Sequence, residues 1–133
     1  MKKITITDSQ KQILLEHAEK EKPNESCAIL FGSENDENST VKEIFLTKNI
    51  EESPVNFTIS NEQLIEGYNL AEQKNMDVVA IFHSHPNSIA YPSETDKKFM
   101  HGNPVVWIIY SGITMEFKAF VLDEHIQEIQ IQA

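Results

Sequence analysis

The run His83-Ser84-His85-Pro86-Asn87-Ser88-Ile89-Ala90-Tyr91-Pro92-Ser93-Glu94-Thr95-Asp96 gathers potential metal ligands and proton carriers within fourteen residues. On an extended backbone, side chains two apart point to the same face, so His83 and His85 can present their imidazoles to one ion. A loop then has to bring Asp96 back as a third ligand. Two imidazoles and one carboxylate leave the fourth tetrahedral position of zinc open, which suits a catalytic rather than a structural site. Zinc lowers the pKa of a coordinated water from about 16 towards about 7 and can polarise a carbonyl, but a separate base must still carry the proton.

Each of these residues also has an ordinary structural reading. A histidine pair can simply sit at a sheet end. Asp96 in the first turn of a helix is explained by the helix dipole alone. Ser93 reads as an N-cap with Asp96 three positions on, a capping box in which Asp replaces the usual Glu or Gln. What favours chemistry is the combination: the pair is followed by Pro86, by the Pro92-Ser93 helix start and by an acid in that first turn.

Rival zinc signatures fail on direct inspection. Zinc nucleobase deaminases need a cysteine pair, and the chain has one cysteine, Cys27. No HExxH is present. A barrel amidohydrolase needs a chain about twice this long.

Strands and helices must position the run. The β-branched segment Ile4–Thr7 leads to Asp8, which can cap a helix carrying Ile13, Leu14, Leu15 and Ala18, ended by Pro23 and Asn24. Ser26 to Gly32 reads as a strand buried on both faces, with Glu25 at its entrance. Val41–Thr47 has a strand pattern, Asn49–Pro54 is turn-rich, and Phe57–Ile59 is a short extended piece. Ser60 starts a second helix with Leu64, Ile65, Tyr68 and Ala71 at helical spacing. Val78–Phe82 is the most apolar strand and runs directly into His83.

Pro86 to Pro92 must be irregular, because prolines lack the amide donor and restrict their predecessors. A short helix to about His101 follows, then strands over Val105–Tyr110, Met115–Leu122 and Ile126–Ile131. Strands interleaved with helices, closing on three successive strands, predict an α/β fold: a mixed β-sheet sandwiched by helices.

At 133 residues the chain has the size of a single domain, expected to span 1–133. Its 21 acidic residues against 11 basic ones, a net charge of −10, repel nucleic-acid phosphates. One cysteine excludes an intrachain disulfide and any multi-cysteine zinc site, and fits a reducing compartment such as the cytoplasm. No stretch approaches the ~18 apolar residues of a membrane span, so no membrane association is expected. Cys27 itself reads as a small core residue, and Trp107 as core rather than a substrate platform. His101, His17 and His125 are left without an assigned role.

The sequence resembles the JAMM, or MPN-plus, metalloprotease family, whose signature is HxHP, six residues, Ser, two residues, Asp; residues 83–96 match that spacing in full. The family also carries an upstream motif similar to Pro-x-Glu-x-Cys-Gly, matched by Pro23-Asn24-Glu25-Ser26-Cys27-Ala28 except that Ala28 replaces glycine. The Asn49 to Phe57 segment, with Ser53-Pro54, is similar to the family's middle region. The resemblance implies a cytidine-deaminase-like architecture and zinc held by His83, His85 and Asp96. It also implies Glu25 as general base and acid, and Ser93 stabilising the tetrahedral intermediate. Read alone, Glu25 would be a surface acid.

The short connection after Asp96 resembles the compact prokaryotic, deubiquitinase-like members of that family. The function this implies is hydrolysis of the isopeptide bond between a ubiquitin-like modifier and a lysine. Cleavage of a peptide or small amide, as in processing of a sulfur-carrier protein of β-grasp fold, is the alternative, and a metal-free scaffold the third.

Overall fold

The computed structural model describes residues 2–133. Three helices and seven strands follow in the order β1 (Lys3–Thr5), α1 (Asp8–Glu21), β2 (Cys27–Glu34), β3 (Asn38–Thr47), α2 (Asn61–Gln73), β4 (Asp77–His85), α3 (Glu94–Gly102), β5 (Val106–Ser111), β6 (Phe117–Leu122) and β7 (Ile126–Gln132). The mixed α/β architecture predicted from sequence is present. Its sheet closes on itself in the order β1-β3-β2-β4-β5-β6-β7, because the three residues of β1 pair in parallel with both β3 and β7. That closure was not foreseen from the strand pattern.

Local chemistry explains the helix starts. Thr7, not Asp8, caps α1: its hydroxyl accepts from the Gln10 amide while the Gln10 side chain accepts from the Thr7 amide. Asp8 instead occupies the first turn, where its charge complements the dipole. Ser60 caps α2 and Ser93 caps α3, both as predicted from their residue types.

Which helix faces are buried was less legible. In α2 the apolar Ile65 and Tyr68 face solvent, while Gly67 and Ala71 are buried. A Cβ on Gly67 would stand 2.9 Å from Ile29 Cδ1 and 3.3 Å from Phe45 Cδ2, so α2 approaches the sheet through its smallest residues.

The period-two alternation of the strands separates two packed layers. Ala28 and Leu30 of β2, with Ala80 and Phe82 of β4, share a core with Leu14 and Ala18 of α1. Cys27, Ile29 and Phe31, with Ile81, Trp107 and Ile109, face Ala71 of α2 and Met100 of α3. The odd-numbered row of β4 runs on from Ile81 into His83 and His85, on the side covered by α2 and α3. Full burial of a large apolar side chain contributes about 1.5–3 kcal/mol. The completely buried Phe82 directly before His83 therefore fixes this strand end firmly. No helix among the described residues is long and apolar enough to cross a membrane.

Candidate active site

Strand register sets the site. β2 and β4 are antiparallel with Cys27 opposite His83. Continuing that pairing by two residues sets Ser26 against Ser84 and Glu25 against His85. The extension is held by three hydrogen bonds: the Ser26 amide donates to Ser84 Oγ at 2.8 Å, the two hydroxyls lie 2.9 Å apart, and the Ser84 amide donates to the Ser26 carbonyl at 3.0 Å. Since side chains alternate, the clamp leaves Glu25, His83 and His85 on the other face.

Glu25 is buried, at 3% exposure, and is not the surface acid its isolated residue type suggests. Its backbone is fastened on the other side by the loop before α2. The Glu25 amide donates to the Ser53 carbonyl at 2.8 Å, and the Glu25 carbonyl accepts from Asn49 Nδ2 at 3.1 Å. Asn49 also donates to the Asn56 carbonyl and accepts from the Glu51 and Thr58 amides, so one buried side chain ties this whole loop to the base of Glu25. Residue type marks Asn49–Pro54 as turn-rich; burial of its asparagine has no local signal.

The two imidazoles and Asp96 converge on one point. His83 Nε2 lies 3.0 Å from His85 Nε2, and the two nitrogens lie 3.1 and 3.2 Å from Asp96 Oδ2. Ligands at the usual 2.0–2.1 Å from a tetrahedral zinc are about 3.3 Å apart. The donor set therefore fits such an ion in spacing and in chemical type. Glu25, His83 and His85 also form a buried group whose donor atoms all lie within 4.8 Å of one another. The Oε1 atom of Glu25 is buried without a hydrogen-bond partner, as is Nδ1 of His83.

The surroundings fix the rings. His85 Nδ1 donates to the Ile89 carbonyl at 2.8 Å, so its proton sits there and Nε2 is turned toward Asp96. His83 is completely buried, stacked on Phe57 at 4.6 Å between ring centroids and set edge-on to Trp107 at 5.8 Å. Phe57 and Trp107 are also two walls of an apolar groove of about 200 Å³ with Ile59, Leu64 and Phe99. Trp107 is core, as expected, and additionally borders the site. Asp96 Oδ2 accepts from the Ser93 amide at 2.8 Å and Ser93 Oγ accepts from the Asp96 amide at 3.0 Å, so the capping box orients the carboxylate that meets the histidines. Capping and site geometry thus use the same two residues.

Electrostatics follow from this burial. Desolvation pushes the Glu25 carboxyl up to about 8, only partly offset by His85. Desolvation also lowers His83, which Asp96 opposes only in part. For His85 desolvation acts downward, but the bonds to Asp96 and to the Ile89 carbonyl, with the Glu25 and Asp96 charges, outweigh it and raise its pKa. Burial would raise Asp96, yet the hydrogen bonds to His83 and His85, the electrostatic attraction of His83 and the bond from the Ser93 amide hold it well below the usual carboxylate range. Cys27 is buried, its thiol pushed up to about 11 by desolvation, which leaves it a neutral core group.

In an α/β fold, this buried group of histidines and carboxylates, with Oε1 of Glu25 left without a hydrogen-bond partner, is compatible with metal binding. Residues 7–123 match the family of prokaryotic homologs of the JAB domain, and the chain belongs to it, as a prokaryotic member of the JAMM/MPN group. Among its relatives is the desampylase of Pyrococcus furiosus, 38% identical over 109 residues that cover 80% of this chain and 74% of that one. The CysO-cysteine peptidase of Mycobacterium tuberculosis is 32% identical over 85 residues, 64% of this chain and 57% of that protein. A protein of Desulfitobacterium hafniense solved in solution superposes with a TM-score of 0.86 at 26% identity, covering 96% of this chain and 90% of that one. The crystal structure of a JAB1/MPN domain protein of Archaeoglobus fulgidus shares the fold, with a TM-score of 0.61 at 20% identity over the full length of both chains.

Proposed function

We propose that this chain is a zinc-dependent isopeptidase, acting as a single domain over residues 1–133. Its substrate is the amide bond between the C-terminus of a ubiquitin-like modifier of β-grasp fold and a lysine of a target protein. The observation that carries this reading is the convergence of His83 Nε2, His85 Nε2 and Asp96 Oδ2 within 3.2 Å of one another, beside the buried, partnerless Oε1 of Glu25. Similarity to a desampylase supports the substrate class. A reducing compartment, the cytoplasm, fits the lone buried thiol.

His83, His85 and Asp96 would hold the zinc. When bound, zinc supplies Lewis-acid polarisation of the scissile carbonyl and activation of water at neutral pH. The chain's own residues do the rest. Glu25 takes the proton of the attacking water at its carboxylate and returns it to the departing lysine amine. A carboxyl raised by burial is suited to that exchange, because its proton affinity lies near working pH. Asp96, kept ionised, and the neutral His83 hold their positions without competing for the proton. Ser93, the N-cap of α3, would donate its hydroxyl to the developing oxyanion while its amide orients Asp96.

A second reading, hydrolysis of a peptide or small amide bond on a sulfur-carrier protein, is favoured by similarity to a CysO-cysteine peptidase. Incubating the zinc-loaded protein with isopeptide-linked and linear fusions of several β-grasp proteins, and resolving products by mass, separates the two. Isopeptide conjugates of folded modifiers should be cut faster than free tail peptides, since remote binding energy positions the scissile bond. Equal rates for tail peptides would make the protein a general peptidase.

A further inference from the structure

β4 and β5 run in parallel with His85 paired to Ser111, so the two residues are neighbours across the sheet at the edge of the site. Ser111 is completely buried. Its hydroxyl donates to the Ser88 carbonyl at 2.7 Å and accepts from the Ile113 and Thr114 amides at 3.2 and 3.1 Å, so its capacity is fully used. One residue on, the Gly112 amide donates to the His85 carbonyl at 2.9 Å. The turn after β5 therefore grips the His85–Ala90 loop at two points, His85 and Ser88. Between them the approach is tight: a Cβ on Gly112 would lie 2.6 Å from the Pro86 carbonyl oxygen.

The peptide that Ser111 holds is adjacent in the chain to the one that fixes the imidazole. Ser88 supplies the carbonyl bound by Ser111, and Ile89 supplies the carbonyl bound by His85 Nδ1. Within the segment the Ile89 carbonyl also accepts from the Tyr91 amide at 2.9 Å and Ala90 is buried, whereas Pro86 lacks an amide donor and the side chain of Ile89 is exposed, so between His85 and Ile89 the hold comes from the turn after β5. We infer that Ser111 is a positioning residue for His85: by pinning the Ser88 carbonyl it sets the Ile89 carbonyl that receives the Nδ1 proton, and so aims Nε2 at the centre. The consequence for zinc rests on the metal reading given above; the consequence for the ring does not.

Two measurements on Ser111→Ala and Ser111→Cys separate these. In the metal-free protein, the His85 Nδ1–H proton observed by NMR should exchange with solvent slowly in the wild type and at least tenfold faster in Ser111→Ala. The Cys variant, a weaker donor of similar shape, should lie between. Zinc affinity, measured by chelator competition with the metal alone, should fall 10- to 100-fold in Ser111→Ala, the usual cost of losing an outer hydrogen bond that orients a metal-binding histidine. If Ser111→Ala does not fold, the graded loss in Ser111→Cys decides. Unchanged Nδ1–H exchange in a folded Ser111→Ala or Ser111→Cys protein would overturn the inference. Changed exchange in a chain whose wild type takes up no zinc would uphold Ser111 and sink the metal reading instead.

Discussion

Ser84 Oγ lies 2.9 Å from Ser26 Oγ and 2.8 Å from the Ser26 amide, joining the residue between the two histidines to the residue after Glu25. The pair sits on the face opposite the site, buried at 2% and 0% exposure, and extends the β2–β4 pairing past its last regular rung. It ties the backbone beside the candidate base to the residue between the two candidate ligands.

Ser84→Ala should therefore cost more than its lost hydroxyl. It strands the buried Ser26 amide, and such an unpaired donor costs about 1–3 kcal/mol. Urea unfolding should show that loss, with a coupling above about 0.5 kcal/mol to Ser26→Ala in a double-mutant cycle. Strict additivity of the two substitutions would mean that the hydroxyls do not act as a unit.

Metal binding should be stoichiometric and separable. The wild type should take up one zinc per chain and lose it to chelators, with a fall in thermal stability, because a ligand at 100 times its Kd adds about 2.7 kcal/mol. His83→Ala should lose most of the ion. Full retention of zinc by that variant would place the site elsewhere.

Glu25→Gln should keep fold and zinc yet lose about 100- to 10,000-fold in kcat, because glutamine cannot accept the proton. Activity within a few-fold of the wild type, with zinc bound, would remove Glu25 from the mechanism.

The same substitution has a pH signature in the metal-free protein. The folded pKa of Glu25, about 8, lies above the ordinary 4.5, so the folded state holds this proton more tightly. Stability from that proton is fully present below pH 4.5 and is lost as pH rises towards 8. His85, whose pKa is also raised, slopes the same way above its ordinary 6.5. Metal-free wild type should thus weaken from pH 5 to pH 8.5 by a few kcal/mol more than metal-free Glu25→Gln, since removing the Glu25 charge also relaxes His85. Parallel stability curves for the two proteins would contradict the buried, proton-holding Glu25.

Ser93→Ala should lose the α3 cap at a cost of about 1 kcal/mol, while Ser93→Asn, which can still cap, should keep most of that stability. If the hydroxyl also serves the oxyanion, both variants should lose activity. Full activity in the Asn variant would reduce Ser93 to a cap.

Sequence alone determined the elements and the residues to watch. The spacing from His83 to Asp96, the strand running into His83 and the Ser93-Asp96 capping box are local properties, readable because alternation, capping and proline restriction act over a few residues. Strand ends differ by up to three residues, the extended piece Phe57–Ile59 carries only an isolated bridge from Ile59 to Asn49, and Thr7 rather than Asp8 caps α1, without altering the order of helices and main strands. Glu25 shows the boundary. Its type and neighbours argue for a surface acid, and only the family motif singled it out. Its burial comes from a register with β4 that joins Ser26 to Ser84, fifty-eight positions on, and from Asn49 reaching across from another loop. Closure of the sheet through β1, the choice of Gly67 over Ile65 as the buried face of α2, and the grip of Ser111 on the His85 loop were decided in the same way. Each depends on which surfaces meet when the layers pack, and contacts between distant segments leave no periodic trace in the chain.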